Sequence, residues 1–490
     1  MKPGHFFEHN TDKLPQPGRW KVFILVAIGT FMATLDGAIV NIAVPTIMRE
    51  LGVSVAAIQW VVIIYLLVVT SLLLSFGRLS DIHGRRRVYS VGLAVFALSS
   101  LLCGAATTIG WLIAARFLQG LGAAMIMACS PALIVDAFPP TERGRALGTI
   151  GAVVASGLTM GPVLGGLLLH YFSWRAIFFI NIPIGLITAV IVNVLLKNST
   201  ADVTRNESFD WPGAVMLALC LGPLLLAITH GHEWGCQSPA IVLLLVLSLT
   251  SAAGLAWVEK RARHPLLDKE LFAIRLFSLP ILSAIIVYAG LFSVVFLMPF
   301  YLLNPSGFPV DEAGYVMATL FLLLFVISPL AGAISDRIGS RFLCTSGCTI
   351  LAIALFLLAK LPAETSVIDI VWRLALAGIG LATFISPNSS ATMSSVPPQR
   401  RGVASATVAA ARNLGMVLGV AFSGTVFANT FAQLTHGAQM KNYVSTMEPA
   451  FMTAFHTAML CSVGLAAVGI IVAWLRGPEG KKVGGTHQSG

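Results

Sequence analysis

The sequence predicts an all-α integral membrane protein that crosses the bilayer fourteen times. The 490 residues are 57% hydrophobic and only 11% charged, whereas soluble domains contain about 25% charged residues. The apolar residues also form fourteen runs, and a helix needs about 20 such residues to span a membrane. The net charge of +10 does not indicate a nucleic-acid partner, because the basic residues stand in short loops between the apolar runs.

The fourteen predicted spans are separated by charged or turn-forming residues. They cover residues 20–45, 55–77, 88–107, 110–137, 146–170, 175–196, 211–230, 239–258, 277–303, 313–335, 341–361, 366–393, 402–430 and 451–475. Placing the N-terminus in the cytoplasm assigns 24 of the 31 Lys and Arg residues to cytoplasmic segments, which is the asymmetry typical of membrane proteins. Because the number of spans is even, both termini are then predicted to be cytoplasmic.

Asp36 is the only ionisable residue in the apolar run 22–44 of the first predicted span. A charged side chain at membrane depth costs roughly 2.5–3.5 kcal/mol on insertion scales. Such residues commonly mark proton or ion pathways, so we interpret Asp36 as a proton-binding residue. The structural alternative is a carboxylate that caps a kinked helix or pairs with an arginine.

The loop after the second predicted span, residues 77–87, combines glycines, an acid and several bases. Gly77 and Gly84 permit a tight turn and close helix approach. Asp81 can pair with Arg85, and a further acid, Asp136, ends the fourth span. We predict a cytoplasmic gate in which this cluster stabilises one conformation and breaks when the two halves of the protein rock. A simple cytoplasmic anchor explains the arginines, but it does not explain an acid between two glycines.

Arg116 lies inside the fourth predicted span, in the sequence Arg-Phe-Leu-Gln-Gly-Leu-Gly-Ala-Ala. A buried arginine needs a partner or a wet cavity, and Asp36 is the obvious counter-charge. The arginine favours the ionised carboxylate whereas desolvation favours the protonated form, and the sequence does not decide between the two effects. Gln119 is one turn further on and, with Asn41, is a candidate to line a substrate cavity. Alternatively, Arg116 is structural and binds backbone carbonyl groups.

The fifth predicted span carries small residues at intervals of four, in the sequence Gly-Leu-Thr-Met-Gly-Pro-Val-Leu-Gly-Gly. Gly157, Gly161 and Gly165 form one flat face for close helix packing in lipid. Pro162 removes a backbone donor and bends the helix. A generic contact between membrane helices explains the glycines alone, but the whole pattern with the proline is more specific.

The chain contains an internal repeat. Residues 139–146 match 397–404 at an offset of 258, and residues 77–86 match 332–341 at an offset of 255. Parallel six-helix repeats with a binding site near the membrane midplane are a known transporter architecture. We therefore predict an N-terminal tail, a six-helix bundle, a linker with two inserted helices, a second six-helix bundle and a C-terminal tail, at residues 1–19, 20–196, 197–276, 277–475 and 476–490.

These motifs together resemble those of the fourteen-helix drug:proton antiporters of the major facilitator superfamily, the QacA/EmrB type. The resemblance covers nearly the whole chain and includes two further stretches, Leu-Asp-Gly-Ala-Ile-Val-Asn-Ile-Ala-Val-Pro (35–45) and Trp-Arg-Ala-Ile-Phe-Phe-Ile-Asn-Ile-Pro-Ile-Gly (174–185). Gly37 stands where that family commonly has a threonine.

The resemblance has implications for the fold and for three motifs. It implies the major facilitator fold and associates the segment around Arg116 with proton coupling. It also implies that Asp81, Arg85 and Asp136 form a cytoplasmic gating network. The glycine and proline pattern of residues 157–166 resembles the motif of antiporters within the superfamily, which favours export over uptake.

The second half of the chain indicates what the substrate could be. No acid of the last six predicted spans lies near the midplane, so we favour a monocationic, neutral or zwitterionic amphiphile over a dication. Tyr288, Phe292 and Phe296 recur at about helical spacing and either line an aromatic substrate cavity or pack against lipid. Arg412 could bind an anionic head group, but a base that snorkels to the membrane surface is the favoured interpretation. Asn181 is interpreted as a polar contact between helices.

We predict a multidrug efflux antiporter of the cytoplasmic membrane that exchanges protons for lipophilic or cationic amphiphilic compounds by alternating access. Its expected partners are protons, small hydrophobic or amphiphilic substrates and the bilayer, and we expect a monomer that binds no nucleic acid. The sequence has no Gly-x4-Gly-Lys-[Ser/Thr] loop and no hydrolase pattern, so we expect no enzyme activity, metal or cofactor. The alternatives are a dedicated exporter of a lipid, fatty acid or secondary metabolite, and a non-transporting receptor or scaffold on the same fold.

Overall fold

A computed structural model describes residues 18–139, 142–195, 211–235, 238–261, 269–397 and 401–477. The predicted tails and much of the predicted linker lie outside these ranges. In the described ranges the chain forms sixteen α-helices: α1 (Arg19–Leu51), α2 (Val55–His83), α3 (Arg85–Gly104), α4 (Ile109–Ala137), α5 (Arg143–Tyr171), α6 (Trp174–Phe179), α7 (Asn181–Leu195), α8 (Trp211–Trp234), α9 (Pro239–Arg261), α10 (Lys269–Ala273), α11 (Arg275–Leu303), α12 (Val310–Ile338), α13 (Ser340–Leu358), α14 (Val367–Ser394), α15 (Arg401–Leu434) and α16 (Glu448–Leu475).

Twelve spans in the described ranges are long and apolar enough to cross a membrane, so the chain is a multi-pass membrane protein. α6 and α7 together make one of these spans, Trp174–Leu195. α5 and α8 are not among the twelve. The predicted all-helical class is therefore confirmed, while the predicted count of fourteen is not.

Several helices run beyond their predicted ends, α2 and α12 among them. α2 continues to His83 and α12 to Ile338. Each is followed by a glycine with a positive φ, Gly84 at 92° and Gly339 at 86°, a conformation that residues with a side chain adopt only with strain. These two glycines are related by the offset of 255 in the sequence repeat. A glycine with a positive φ therefore ends the second helix of each repeat.

The sixth predicted span is broken by a turn at Ile180, between α6 and α7. Pro183 lacks an amide hydrogen and cannot donate to the carbonyl group of Phe179, which weakens the helix at this point. The break makes Asn181 the first residue of α7. Because α7 packs beside α1, Asn181 lies close to the helix that carries Asp36.

Ion pairs at both ends of the molecule show that α1 and α5 run in one direction and α6 in the opposite one. We call the end at which α1 begins the proximal end, and the opposite one the distal end. At the proximal end, Arg19 of α1 bonds Glu142, which precedes α5, at 3.0 Å. At the distal end, Arg175 of α6 bonds Glu50 of α1 at 2.5 Å.

The internal repeat is accompanied by repeated packing. α3 and α4 approach closely at Gly122, where an added Cβ would lie 2.8 Å from the carbonyl oxygen of Gly92. α13 and α14 approach in the same way at Gly380, where an added Cβ would lie 2.9 Å from the carbonyl oxygen of Gly347. The residues of the second pair correspond to those of the first by the offsets of the sequence repeat. The division into two six-helix bundles at the stated boundaries stays a prediction.

The N-terminal helices α1–α7 and the C-terminal helices α11–α16 meet in the distal half of the molecule. α5 packs against α12, and an added Cβ on Gly314 would lie 2.4 Å from the carbonyl oxygen of Pro162. α2 packs against α15, and an added Cβ on Gly424 would lie 2.0 Å from Nε2 of Gln59. The two sets of helices are therefore closed together on their distal side.

Candidate functional site

Asp36 lies in the middle of α1, and its side chain is 0% exposed. Arg116 of α4 is 1% exposed and donates from Nη1 to Oδ2 of Asp36, forming an ion pair. Among the described residues, Asp36 is the one buried acid. The structure thus brings together the acid and the base that the sequence predicted as partners.

Two further side chains donate to the Asp36 carboxylate. Nε2 of Gln119 and Nδ2 of Asn181 both donate to Oδ1, at 2.9 Å and 3.0 Å. Gln119 lies one turn along α4 from Arg116, and Asn181 begins α7. A buried carboxylate is stable only when it is paired and hydrogen-bonded. Three donors from two helices meet that requirement here.

Arg116 has partners besides Asp36. Its Nε donates to the carbonyl oxygen of Val61 on α2 at 2.9 Å, and Nη1 also donates to Oε1 of Gln119 at 2.6 Å. The guanidinium lies 4.2 Å from the centroid of the Tyr65 ring, which is within the range of a cation–π contact. The arginine would therefore keep two hydrogen bonds and an aromatic contact if Asp36 were neutral.

The amide of Asn181 has an unused hydrogen-bonding atom. Its Oδ1 is buried and has no hydrogen-bond partner among the described residues, while Nδ2 donates to Asp36. A 180° rotation of an amide exchanges its donor and its acceptor. After that rotation Asn181 could accept a hydrogen bond from a protonated Asp36. The network can therefore satisfy both protonation states of the carboxyl group.

The structure places the two predicted polar cavity residues of the N-terminal half differently from each other. Gln119 is buried in the Asp36 network. Asn41 donates from Nδ2 to the carbonyl oxygen of Gly37 in its own helix at 2.9 Å.

The sequence interpretation missed Asn181 and Tyr65 as members of the network. The available signal for Asn181 was its position beside a helix-breaking proline.

At the proximal end, Arg85 and Asp136, two members of the predicted gate cluster, form an ion pair that joins α3 to α4, with Nη1 and Oδ1 2.5 Å apart. Gly84 provides the turn between α2 and α3. Gly77 lies within α2, and an added Cβ would meet nothing within 4 Å. The side chain of Asp81 lies outside the described part of the structure.

The glycine face predicted for the fifth span packs against α1. An added Cβ on Gly157, Gly161 or Gly165 would lie 2.3–2.5 Å from a side-chain atom of α1. Pro162 has its carbonyl oxygen against Gly314 of α12. α5 therefore lies between the helix of the buried acid and the C-terminal set.

The three aromatic residues predicted to line a cavity are buried on α11. Tyr288, Phe292 and Phe296 are each less than 9% exposed, so they pack inside the protein and not against lipid. Phe296 lies at the contact between α11, α15 and α2, because an added Cβ on Gly424 would be 2.9 Å from its ring.

Comparison with known proteins gives the family. A model of the Major Facilitator Superfamily matches residues 26–420. The chain belongs to the Major Facilitator Superfamily. This major facilitator is therefore a membrane transporter by family. The sequence-based resemblance to the superfamily is confirmed, while the narrower fourteen-helix subfamily stays a prediction.

Relatives of this major facilitator include transporters and resistance proteins. It is 36% identical over 450 residues to the riboflavin transporter RibZ of Clostridioides difficile, covering 91% of this chain and 96% of the relative. It is 33% identical over 406 residues to the multidrug resistance protein Stp of Mycobacterium tuberculosis, covering 83% of this chain and 75% of the relative. It is 32% identical over 467 residues to the puromycin resistance protein pur8 of Streptomyces alboniger, covering 94% of this chain and 92% of the relative.

The fold is also that of solved members. A bacterial homologue of the human lysosomal transporter Spinster, in an inward-facing and unoccupied conformation, superposes with a TM-score of 0.70. The two chains are 17% identical, and the match covers 94% of this chain and 98% of the other. At this identity the likeness shows the major facilitator fold alone.

Proposed function

We propose that this major facilitator is a proton-coupled exporter of amphiphilic compounds in the cell membrane. The observation that carries the proposal is the buried network of Asp36, Arg116, Gln119 and Asn181. A carboxylate buried at membrane depth is costly, and this one has partners suited to both of its protonation states. That property is required of a residue that binds and releases a proton in each transport cycle.

In the proposed mechanism, a proton neutralises Asp36 and removes its ion pair with Arg116. The guanidinium is then held by the Val61 carbonyl oxygen, Gln119 and the Tyr65 ring. Asn181 rotates its amide and accepts the hydrogen bond of the carboxyl group. Release of the proton restores the ion pair. The retained contacts of Arg116 and the rotated amide of Asn181 offset part of the cost of breaking the buried ion pair, and the pH gradient supplies the rest.

Alternating access would follow from breaking contacts at one end and making them at the other. We propose that the distal contacts, such as Pro162 with Gly314, close the outer side. Arg85 and Asp136, with Asp81, would form the gate at the inner side. This assignment puts the proximal end and both termini in the cytoplasm, as the distribution of basic residues favours.

We further propose that α5 and α8 cross the membrane, which gives fourteen spans. α5 has 29 residues and α8 has 24, so they extend about 44 Å and 36 Å at 1.5 Å per residue. Both lengths exceed the roughly 30 Å thickness of the hydrocarbon core. α5 also packs along α1 over its glycine face, and α1 is itself a span.

The relatives support two classes of substrate. Stp and pur8 carry names of multidrug and puromycin resistance, which favours export of lipophilic drugs. RibZ is named as a riboflavin transporter and shares 36% identity over nearly its full length, which favours a dedicated carrier of a metabolite. We take drug export as the first candidate because the resistance proteins are several, and metabolite transport as the second.

Transport by the purified protein tests both candidates. Inverted proteoliposomes under an imposed pH gradient should accumulate ethidium or puromycin in the first case, and riboflavin in the second. Asp36→Asn should abolish this gradient-driven accumulation. Asp369→Asn, an exposed acid at the distal start of α14, is the matched control and should transport normally. Gradient-driven transport by Asp36→Asn at the wild-type rate would contradict the mechanism, and no transport of any amphiphile would favour a non-transporting role.

A further inference from the structure

Arg412 is a second basic residue deep within the helices. It is the twelfth residue of α15, which has 34 residues, so it lies about 16 Å from the proximal end of the helix at 1.5 Å per residue. Its side chain is half-buried. It lies near Tyr288 of α11, because an added Cβ on Gly415, one turn further along α15, would lie 2.8 Å from Cβ of Tyr288. Its Nε is buried and has no hydrogen-bond partner among the described residues. The arginine thus points to α11 and does not snorkel freely to the membrane surface.

Arg412 differs from Arg116 in its lack of an acid partner. The ion pairs of the described side chains do not include Arg412. Asp36, the one buried acid of the described residues, is already paired with Arg116. Within the described ranges Arg412 is therefore a basic residue without an acid partner, as is the buried Arg476 near the end of α16. A half-buried charge at this depth is less favourable without a counter-charge than with one.

Two amides near the contact between α2 and α15 also lack partners. Gln59 is 0% exposed, and neither its Nε2 nor its Oε1 has a hydrogen-bond partner among the described residues. Asn413 is buried as well, and its Nδ2 has none in the same ranges. Asn413 lies eleven residues, or about three helical turns, before Gly424 in α15. Gly424 is a residue of α15 that contacts Gln59. Asn413 therefore lies on the side of α15 that faces α2, as Gly424 does. Buried polar groups normally have hydrogen-bond partners, so the unpartnered atoms of Asn413 and Gln59 are available to a ligand.

Aromatic rings complete this region. Tyr288, Phe292 and Phe296 are spaced by four residues on α11 and so lie along one face of the helix. Tyr288 contacts Arg412, and Phe296 lies near Gln59 at Gly424. The rings thus run from the cation to the unpartnered amide. Apolar walls with a few polar groups that fix orientation are typical of small-molecule sites.

We propose that Arg412, Asn413 and Gln59 form, with the rings of α11, a binding site for an aromatic compound that carries an anionic group. Arg412 binds the anion, the amides bind acceptor and donor groups, and the rings stack on the aromatic body. The site rests on the proposed transport function and names its substrate class. It adds a position for an anionic group to the amphiphile site that the sequence suggested. An anionic phospholipid has related chemistry, and the experiment separates the two sources.

Equilibrium binding to the full chain in phosphatidylcholine nanodiscs tests the proposal. The probes are 8-anilinonaphthalene-1-sulfonate and N-phenyl-1-naphthylamine, which differ in the sulfonate, and empty nanodiscs give the background fluorescence. Arg412→Gln should weaken binding of the sulfonate probe about tenfold or more and change binding of the neutral probe less than about twofold, because hydrogen bonds to charged groups are the strong ones. Arg412→Lys should restore most of the affinity.

Two other variants control for charge and for folding. Arg49→Gln removes one positive charge at an exposed position near the end of α1 and should leave both affinities unchanged. Asn413→Leu changes no charge and should weaken the sulfonate probe as well, so the test survives if Arg412→Gln does not fold. Phosphatidylglycerol added to the nanodiscs should compete with the probe in the wild type only if a lipid head group also uses the site.

The proposal is overturned if the sulfonate probe binds wild type and Arg412→Gln with equal affinity while Asn413→Leu also has no effect. It is also overturned if Arg412→Gln weakens both probes equally, because the loss would then not depend on the anion. No pH gradient is applied in these measurements. Failure of the site is therefore distinguishable from failure of proton-coupled transport, which the Asp36→Asn assay reports.

Discussion

Replacing Gly314 by alanine should open the distal contact between the N-terminal and C-terminal helices. An added Cβ at this position would lie 2.4 Å from the carbonyl oxygen of Pro162 and 3.2 Å from Cα of Gly166. Ordinary contacts of a Cβ begin at 3.4 Å. The atoms that would have to move belong to the backbone of α5, so the clash cannot be relieved by a change of rotamer. The methyl group fits only if α12 and α5 separate.

The size of the effect follows from the cost of overpacking. Inserting a methyl group into a tightly packed contact costs typically about 1–3 kcal/mol. Alanine also favours the helix by up to about 1 kcal/mol, but this gain is the same whether the distal side is open or closed. The clash exists only in the closed form, so it acts fully on the conformational equilibrium. A cost of about 1–3 kcal/mol shifts an equilibrium about 5- to 150-fold.

Electron–electron distance measurements report this shift. Spin labels at the exposed positions Tyr171 and Tyr315, in a cysteine-free background that retains transport, follow the distal ends of α5 and α12. The Gly314→Ala protein should show a larger population at long distance than the parent. Gly378→Ala is the matched control, since its Cβ would lie 2.3 Å from the carbonyl oxygen of Leu320 within the C-terminal set.

The control separates opening from a general loss of packing. Gly378→Ala should lower thermal stability without changing the distance distribution, because α12 and α14 belong to the same set of helices. An unchanged distribution in folded Gly314→Ala protein would refute the reasoning. Equal changes in both variants would show that the distance responds to instability and not to the distal contact.

Two further predictions concern the buried network and the distal ion pair. Asn181→Leu should lower gradient-driven transport about tenfold and leave substrate exchange without a gradient near the wild-type rate. The reason is that leucine can neither donate to the Asp36 carboxylate nor accept from its protonated form. Equal losses in the two transport assays would contradict this role. His170→Gln removes the contact of His170 with Asp311, whose atoms lie 3.2 Å apart, and should raise the open population less than about fivefold, because partly exposed ion pairs contribute about 0.2–1 kcal/mol. A shift in the spin-label distances as large as that of Gly314→Ala would be evidence against this estimate.

The helices were predictable because apolar runs and membrane thickness together leave few alternatives. The ends of the helices were less predictable. The prediction ended the second span at residue 77, where charged residues begin, but α2 continues to His83. Membrane helices extend into water as long as their backbone hydrogen bonds remain internal, so charge alone does not mark the end. The effective stop is Gly84, whose positive φ of 92° is a conformational signal and not a change of polarity.

The candidate site was predictable only in part. Asp36 and Arg116 are charged residues in otherwise apolar spans, and electrostatics alone makes them partners. Asn181 carries no charge and lies 145 residues from Asp36, so neither charge nor sequence spacing connects the two residues. Its place beside the carboxylate follows from the break at Ile180 and from the packing of α7 on α1. Arg412 shows the opposite case, since its charge was evident but its contact with Tyr288 depends on how α11 and α15 meet.

The proposed coupling of proton binding to alternating access needs a physical connection between Asp36 and the distal contact, and α5 supplies it. Gly157 and Gly161 pack against Thr34 and Ala38, which lie two residues on either side of Asp36 in α1. Pro162 and Gly166 of the same helix pack against Gly314 and Val310 of α12. Contacts this close leave no free space, and packed interiors transmit displacements between neighbours. In the proposed mechanism, a shift of α1 on protonation would change the contact of α5 with α12, which would give the glycines of α5 a part in the transport cycle as well as in the packing of the bundle.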